Sequence, residues 1–221
     1  ISEIEMVEYA EDFFLSMGFE PLPSTFWERS LFVKPQDRSV VCHASAWNLD
    51  PAQNDLRIKM CIEKNEEDFI TIHHELGHIF YYQAYNHLPT LFQGGANDGF
   101  HEAFGDLLTL SITPDYLKNI GFISEAEAEE VKEDAVGLLM KQALEGVVVV
   151  PWALMLDRWR AGVFDGETGQ DELNQSWWDL RQSYQGIKSP SNRSEEYFDP
   201  GAKYHIPGNT PYTRYYLARI M

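Results

Sequence analysis

Cysteine and positive charge are both scarce in this chain. Its 221 residues hold two cysteines, Cys42 and Cys61, so a dense disulfide scaffold is excluded. Lys and Arg number 17 against 35 Asp and Glu, a formal charge of −18. Such a surface repels phosphate backbones, which excludes nucleic acid as an expected partner. Long apolar runs are also missing. The longest, Val147 to Leu156, follows Glu145-Gly146 and stops at Asp157. That is about half of the ~20 residues a bilayer requires, so no membrane span is expected here. No repeat and no low-complexity tract is visible. The chain begins Ile1-Ser2-Glu3 with no initiator Met or leader, and its last helical pattern still runs at Met221; both read as text from inside a longer protein.

What is present is a globular composition. A hydrophobic content of 44% and an aromatic content of 14% suffice for a packed core and exclude a disordered chain. The periodicity is mainly helical. Apolar residues recur at helical spacing from Glu3 to Met17, before Gly18. Pro21, Pro23 and Ser24 mark a break. Ser39 to Trp47 and Leu56 to Cys61 read as two short strands joined by the turn-rich segment around Pro51. The strands would bring the two cysteines close; a disulfide closing a loop of ~20 residues and a pair of buried thiols both fit the spacing.

Asn65 reads as an N-cap, followed by three acidic residues in the first turn, for a helix reaching about Tyr85. A second helix starts at Asn97 or Asp98 and runs to Thr113, stopped by Pro114. Ser124 and Glu127 form a capping box for a long third helix that Pro151 kinks or splits and that ends near Phe164. Asp171 to Tyr184 makes another helix, ended by Gly186. Thr210 is the expected cap of a last helix, with Pro211 in its first position. The sequons at Asn174 and Asn192 differ in setting: the first lies in a helical pattern, the second in a polar loop.

The chemistry concentrates in His74-Glu75-Leu76-Gly77-His78, an HExxH motif on a helix. Residues i and i+4 share a face, so both imidazoles can bind one ion. Glu75 lies about 100° round the helix and can act as general base without ligating the ion. A catalytic zinc needs a third protein ligand and an open position. Glu102, near the start of the next helix, is the candidate, with His101 its rival; Asp106, one turn later, is placed to orient a ligand imidazole. His73 faces away, and His87 reads as a loop residue.

These motifs resemble the angiotensin-converting enzyme (peptidyl-dipeptidase A) family. The resemblance rests on His74 to His78 and on Gly95-Ala96-Asn97-Asp98-Gly99-Phe100-His101-Glu102-Ala103-Phe104-Gly105-Asp106. It continues through Cys42 to Trp47, Asp157 to Arg160, Gly162 to Phe164, Trp177-Trp178, Phe198 to Pro207 and Pro211 to Tyr215. It implies a mainly α, zincin-type fold with a short antiparallel β patch near residues 39–61. Residues 1–221 would form a single partial catalytic domain, lacking the family's N-terminal lid helices and its C-terminal part.

By the same resemblance, zinc is held by His74, His78 and Glu102. Glu75 deprotonates the attacking water, and His205 and Tyr215 donate to the tetrahedral oxyanion. His43 and the backbone of Ala44 hold an extended peptide as an added strand. Lys203 and Tyr212 match positions that bind a substrate's C-terminal carboxylate, which implies release of C-terminal dipeptides from oligopeptides rather than of single residues. Trp177, Arg181 and Arg214 match parts of chloride sites. Cys42 and Cys61 match a family disulfide, and the protein would be extracellular, secreted or the ectodomain of an anchored parent. A single-residue carboxypeptidase and a zinc-binding fragment without activity are the alternatives.

Overall fold

A computed structural model describes all of residues 1–221, which part into two compact units, Ile1–Glu133 and Asp134–Met221. The architecture is mainly α with one small sheet, as the helical periodicity implies.

The first unit is organised around helix α3 (Glu66–Asn86). Asn65 caps it by accepting from the Asp68 amide, and Glu66, Glu67 and Asp68 sit where the helix dipole favours anions. One face of α3, with Phe69, Ile72, Leu76, Ile79 and Phe80, is buried. It packs against α1 (Glu3–Ser16), whose Ser2 and Glu5 form a capping box and whose Phe14 stacks on Phe80 at 4.3 Å. Helix α2 (Ser24–Arg29) begins at the end of the expected break, in a segment where no element was expected; Pro23 is its N-cap, and the buried Phe26 anchors it.

Strands β1 (Ser45–Asp50) and β2 (Asp55–Lys59) pair antiparallel, with Ser45 opposite Lys59. The first strand was expected from Ser39; it begins at Ser45, and residues 39–44 run outside it. Cys42 and Cys61 form a disulfide, with their Cα atoms 5.1 Å apart, which ties that preceding segment to the end of β2. Lys59 also donates from Nζ to the Val41 carbonyl at 2.8 Å.

Helix α4 (Asp98–Thr109) starts under the Asn97 cap and ends four residues before the expected stop. Pro114 begins a helix rather than merely ending one: Thr113 caps α5 (Pro114–Asn119), with proline in the first turn, where its missing N–H costs nothing. Helix α6 (Glu125–Glu133) carries the expected Ser124–Glu127 capping pair.

In the second unit, α7 (Ala135–Phe164) is continuous through Pro151. The break in the expected long helix falls instead at Asp134, which caps α7. By length and composition α7 is long and apolar enough to cross a membrane. One face of its second half is core: Ala153, Met155, Leu156 and Trp159 are buried with Trp177 of α8 (Leu173–Gln185) and with Tyr212, while Leu154 and Phe164 are exposed.

Helix α9 (Thr213–Ile220) starts three residues past Thr210. Its cap comes from elsewhere in the chain: the Asp157 carboxylate of α7 accepts from the backbone amides of Tyr212 (2.8 Å) and Thr213 (2.5 Å). A tertiary carboxylate on the helix N-terminus thus outweighs the local Thr-Pro signal.

Candidate metal centre

The site in the first unit is made where α3 crosses α4. The crossing is close because both helices present glycine: a Cβ on Gly77 would meet the Gly105 Cα at 3.0 Å. It brings Glu102 of α4 over His74 and His78 of α3. The His74 and His78 Nε2 atoms lie 3.2 Å apart, and the Glu102 Oε2 atom is 3.3 Å from the first and 3.6 Å from the second. In a tetrahedral site with zinc–ligand bonds of about 2.05 Å, neighbouring donor atoms stand about 3.3 Å apart. The triangle of donors therefore fits zinc in size, and two imidazoles with one carboxylate fit it in kind.

The surroundings orient these donors. Asp106 Oδ1 lies 3.2 Å from Nδ1 of His74, which leaves Nε2 of that ring facing the centre. Burial opposes a charge on His74, but Asp106 and Glu102 outweigh it and raise its pKa to about 10; burial and the neighbouring His74 hold His78 down at about 3. Two acidic groups thus gather positive charge in a buried place. Glu75 is itself buried, and burial pushes its carboxyl up to about 7, the His74 charge opposing and the Glu102 charge adding. A carboxylate poised near neutrality suits proton transfer in both directions. His73 is a buried core residue, its Nδ1 donating to the Phe69 carbonyl at 2.8 Å, and burial lowers its pKa to about 4. His87 caps the end of α3.

His43 and Ala44 precede β1 rather than lying within it; Nδ1 of His43 is 2.7 Å from the Ala44 carbonyl. β1 pairs with β2 alone.

The second unit assembles its own group. His205 is buried, with Nε2 2.8 Å from the Tyr215 hydroxyl. The rings of Tyr212 and Tyr215 stand 4.3 Å apart, and Lys203 Nζ lies 5.2 Å from the centre of the Tyr212 ring. Arg160 of α7 donates to the carbonyls of His205 (2.9 Å) and Thr210 (2.6 Å), fixing the segment that carries these residues. Trp177 packs in the core at right angles to Trp152, and the Arg181 guanidinium sits 4.7 Å over Trp152. Burial lowers the Arg181 pKa, and its Nε has no hydrogen-bond partner. Arg214 lies in the first turn of α9, its Nε buried.

Sequence reasoning named several supporting residues only as parts of motifs and gave them no role. Gly77 and Gly105 stand one per helix, and only the crossing shows that they meet. Asp157 and Arg160 act across more than 40 residues of chain, so no local pattern announces them.

The geometry defines a class: mainly helical proteins carrying an HExxH motif with a distant glutamate as a three-donor metal cluster. Comparison with known proteins gives the family. A family model described as angiotensin-converting enzyme matches residues 1–221. The chain is 46% identical over 220 residues to an angiotensin-converting enzyme of Bos taurus, an alignment covering 99% of this chain and 17% of the relative. It is 42% identical over 219 residues to one from Theromyzon tessulatum (99% and 35%), and 40% identical over 220 residues to one from Haematobia irritans exigua (99% and 36%). The chain belongs to the angiotensin-converting enzyme family. It spans about a sixth of the Bos taurus relative's length and about a third of the other two.

Proposed function

We propose that this chain carries the metal centre of a zinc peptidase that releases C-terminal dipeptides from oligopeptides. The observation that carries the reading is the triangle of donors, His74, His78 and Glu102, with edges of 3.2 to 3.6 Å. The names of the relatives support the family's peptidase chemistry. When bound, zinc supplies the Lewis-acid charge that acidifies water and polarises a peptide carbonyl.

Glu75 then accepts the proton of the attacking water and delivers it to the leaving amine. Its raised pKa supports both halves of that transfer. His74 and His78 bind through Nε2, with Asp106 holding the first in that tautomer. In the second unit, His205 and Tyr215 are assigned as donors to the developing oxyanion, a role supported by their mutual contact and by the Arg160 anchor. Lys203 and Tyr212 are assigned to the substrate's terminal carboxylate. His43 and the Ala44 backbone are assigned to the peptide main chain. Arg181, with an unpartnered buried nitrogen beside Trp177 and Trp152, is assigned to a chloride ion together with Arg214. The disulfide supports an oxidising, extracellular setting.

The test is product analysis by mass spectrometry on blocked tetrapeptides and longer peptides. Two residues leaving together, abolished by a chelator and by Glu75→Ala with zinc retained, supports the reading. Single-residue release, or hydrolysis surviving Glu75→Ala, refutes it.

A further inference from the structure

His101 and Tyr85 belong to none of the roles above, yet they sit behind a metal-binding imidazole. His101 Nδ1 is 3.3 Å from Nδ1 of His78, and His101 Nε2 is 3.0 Å from the Tyr85 hydroxyl. The rings of Tyr81 and Tyr82, at 4.5 and 4.8 Å from that of His101, hold the imidazole in place. Tyr85 is buried near the end of α3, one of the same helix's ridges with Tyr81 and His78.

We infer that His101 and Tyr85 form a relay of neutral hydrogen bonds that positions His78 as a ligand, as Asp106 does for His74. The direction follows from proton bookkeeping. Two imidazole nitrogens facing each other share one proton, so one donates and the other accepts. A His78 that presents the Nε2 lone pair to a metal carries its proton on Nδ1. His101 must then accept at Nδ1 and keep its own proton on Nε2, where the Tyr85 oxygen lies to receive it. Each ligand imidazole is thus fixed by a different device: a carboxylate on His74, an uncharged imidazole–phenol chain on His78. The neutral chain sets tautomer and ring angle without adding a further negative charge beside Glu102 and Glu75. His101 and Tyr85 are positioning residues; the candidate metal group is His74, His78 and Glu102.

This inference rests on the reading of His74, His78 and Glu102 as the metal set, and the experiment separates the two. Zinc affinity of the full chain is measured by competition with a chromophoric chelator, alongside the visible bands of the cobalt-loaded protein and thermal unfolding in excess chelator. Tyr85→Phe removes only an oxygen and should leave metal-free unfolding near wild type while weakening zinc binding and shifting the cobalt bands. His101→Phe should weaken zinc by about 10- to 100-fold, the range for lost partners of ligand histidines. The double variant should bind no worse than His101→Phe alone, since the phenol acts only through the imidazole. His101→Asn, whose amide oxygen can accept from His78, should recover affinity. Unchanged affinity and cobalt bands in both single variants, or losses that add in the double variant, would overturn the relay. Failure of the wild-type chain to bind zinc or cobalt would instead bring down the metal reading, and the relay with it.

Discussion

Gly105→Ala is the sharpest probe of the helix crossing that builds the candidate metal centre. A Cβ at 105 would stand 2.8 Å from Nδ1, 3.0 Å from Cε1 and 3.1 Å from Cγ of His74. Ordinary contact begins at 3.4 Å, so the imidazole or the α4 backbone must yield by about 0.6 Å, whereas a metal–ligand distance tolerates only about 0.2 Å. His74 has little freedom to swing away, because Asp106 holds the same Nδ1. Alanine in a helix interior gains about 1 kcal/mol over glycine, and forced overpacking costs about 1–3 kcal/mol. The expected net is a loss of up to about 2 kcal/mol of stability, with a larger relative loss of zinc affinity, tenfold or more by analogy with disturbed ligand orientation. Gly146→Ala is the control: it lies in α7 with nothing within 4 Å of an added Cβ, and should raise stability by about 0.5–1 kcal/mol without touching zinc. Thermal unfolding with and without chelator, and zinc competition, give both numbers. Gly105→Ala binding zinc as wild type, with an unfolding temperature raised like that of Gly146→Ala, would refute the account of the crossing.

Further expectations come from the second unit. Asp199 accepts from Arg193, from Trp178 Nε1 at 2.8 Å and from Asn174 Nδ2 at 3.2 Å, and its carboxyl is held down at about 2, chiefly by Arg193. A depressed carboxyl stabilises above its unfolded pKa and loses that contribution as pH falls from about 4 towards 2, so Asp199→Asn should lower the unfolding temperature at pH 7 and match wild type near pH 2; an equal deficit at both pH values would contradict this. Of the two sequons, Asn174 is fully buried and bonded through its side chain to Arg193, Ser194 and Asp199, whereas Asn192 is exposed. Expressed through a secretory pathway, the chain should lose a glycosidase-sensitive mass on Asn192→Gln; glycan found on Asn174 of folded protein would contradict the packing.

Much of this was legible in the residues. The capping signals at Asn65, Asn97 and Ser124 mark real helix starts, because each is a local contest that a side-chain oxygen wins within its own turn. The meeting of His74 and His78 was legible too, since i, i+4 spacing puts both imidazoles on one helix face, and Glu102 joins them in a cluster that could hold a metal ion. Local reading failed where distant groups decide. Proline at 151 neither splits nor ends α7, whose following turns are locked in a core of Trp159, Trp177 and Tyr212. The start of α9 moved because Asp157, 55 residues upstream of Tyr212, supplies its cap. The first strand shortened because residues 39–44 are secured by the disulfide and by Lys59, not by a ladder.

The central claim is that one zinc ion sits among two imidazoles of α3 and a carboxylate of α4. X-ray absorption on the zinc-equilibrated, dialysed chain tests it most directly. The account requires one zinc per chain, with two nitrogen donors from imidazole and oxygen donors at about 2.0–2.2 Å, the imidazole signal falling by half in His78→Ala. A chain that dialyses free of zinc, or whose zinc spectrum is unaltered by His78→Ala and Glu102→Ala, would contradict it.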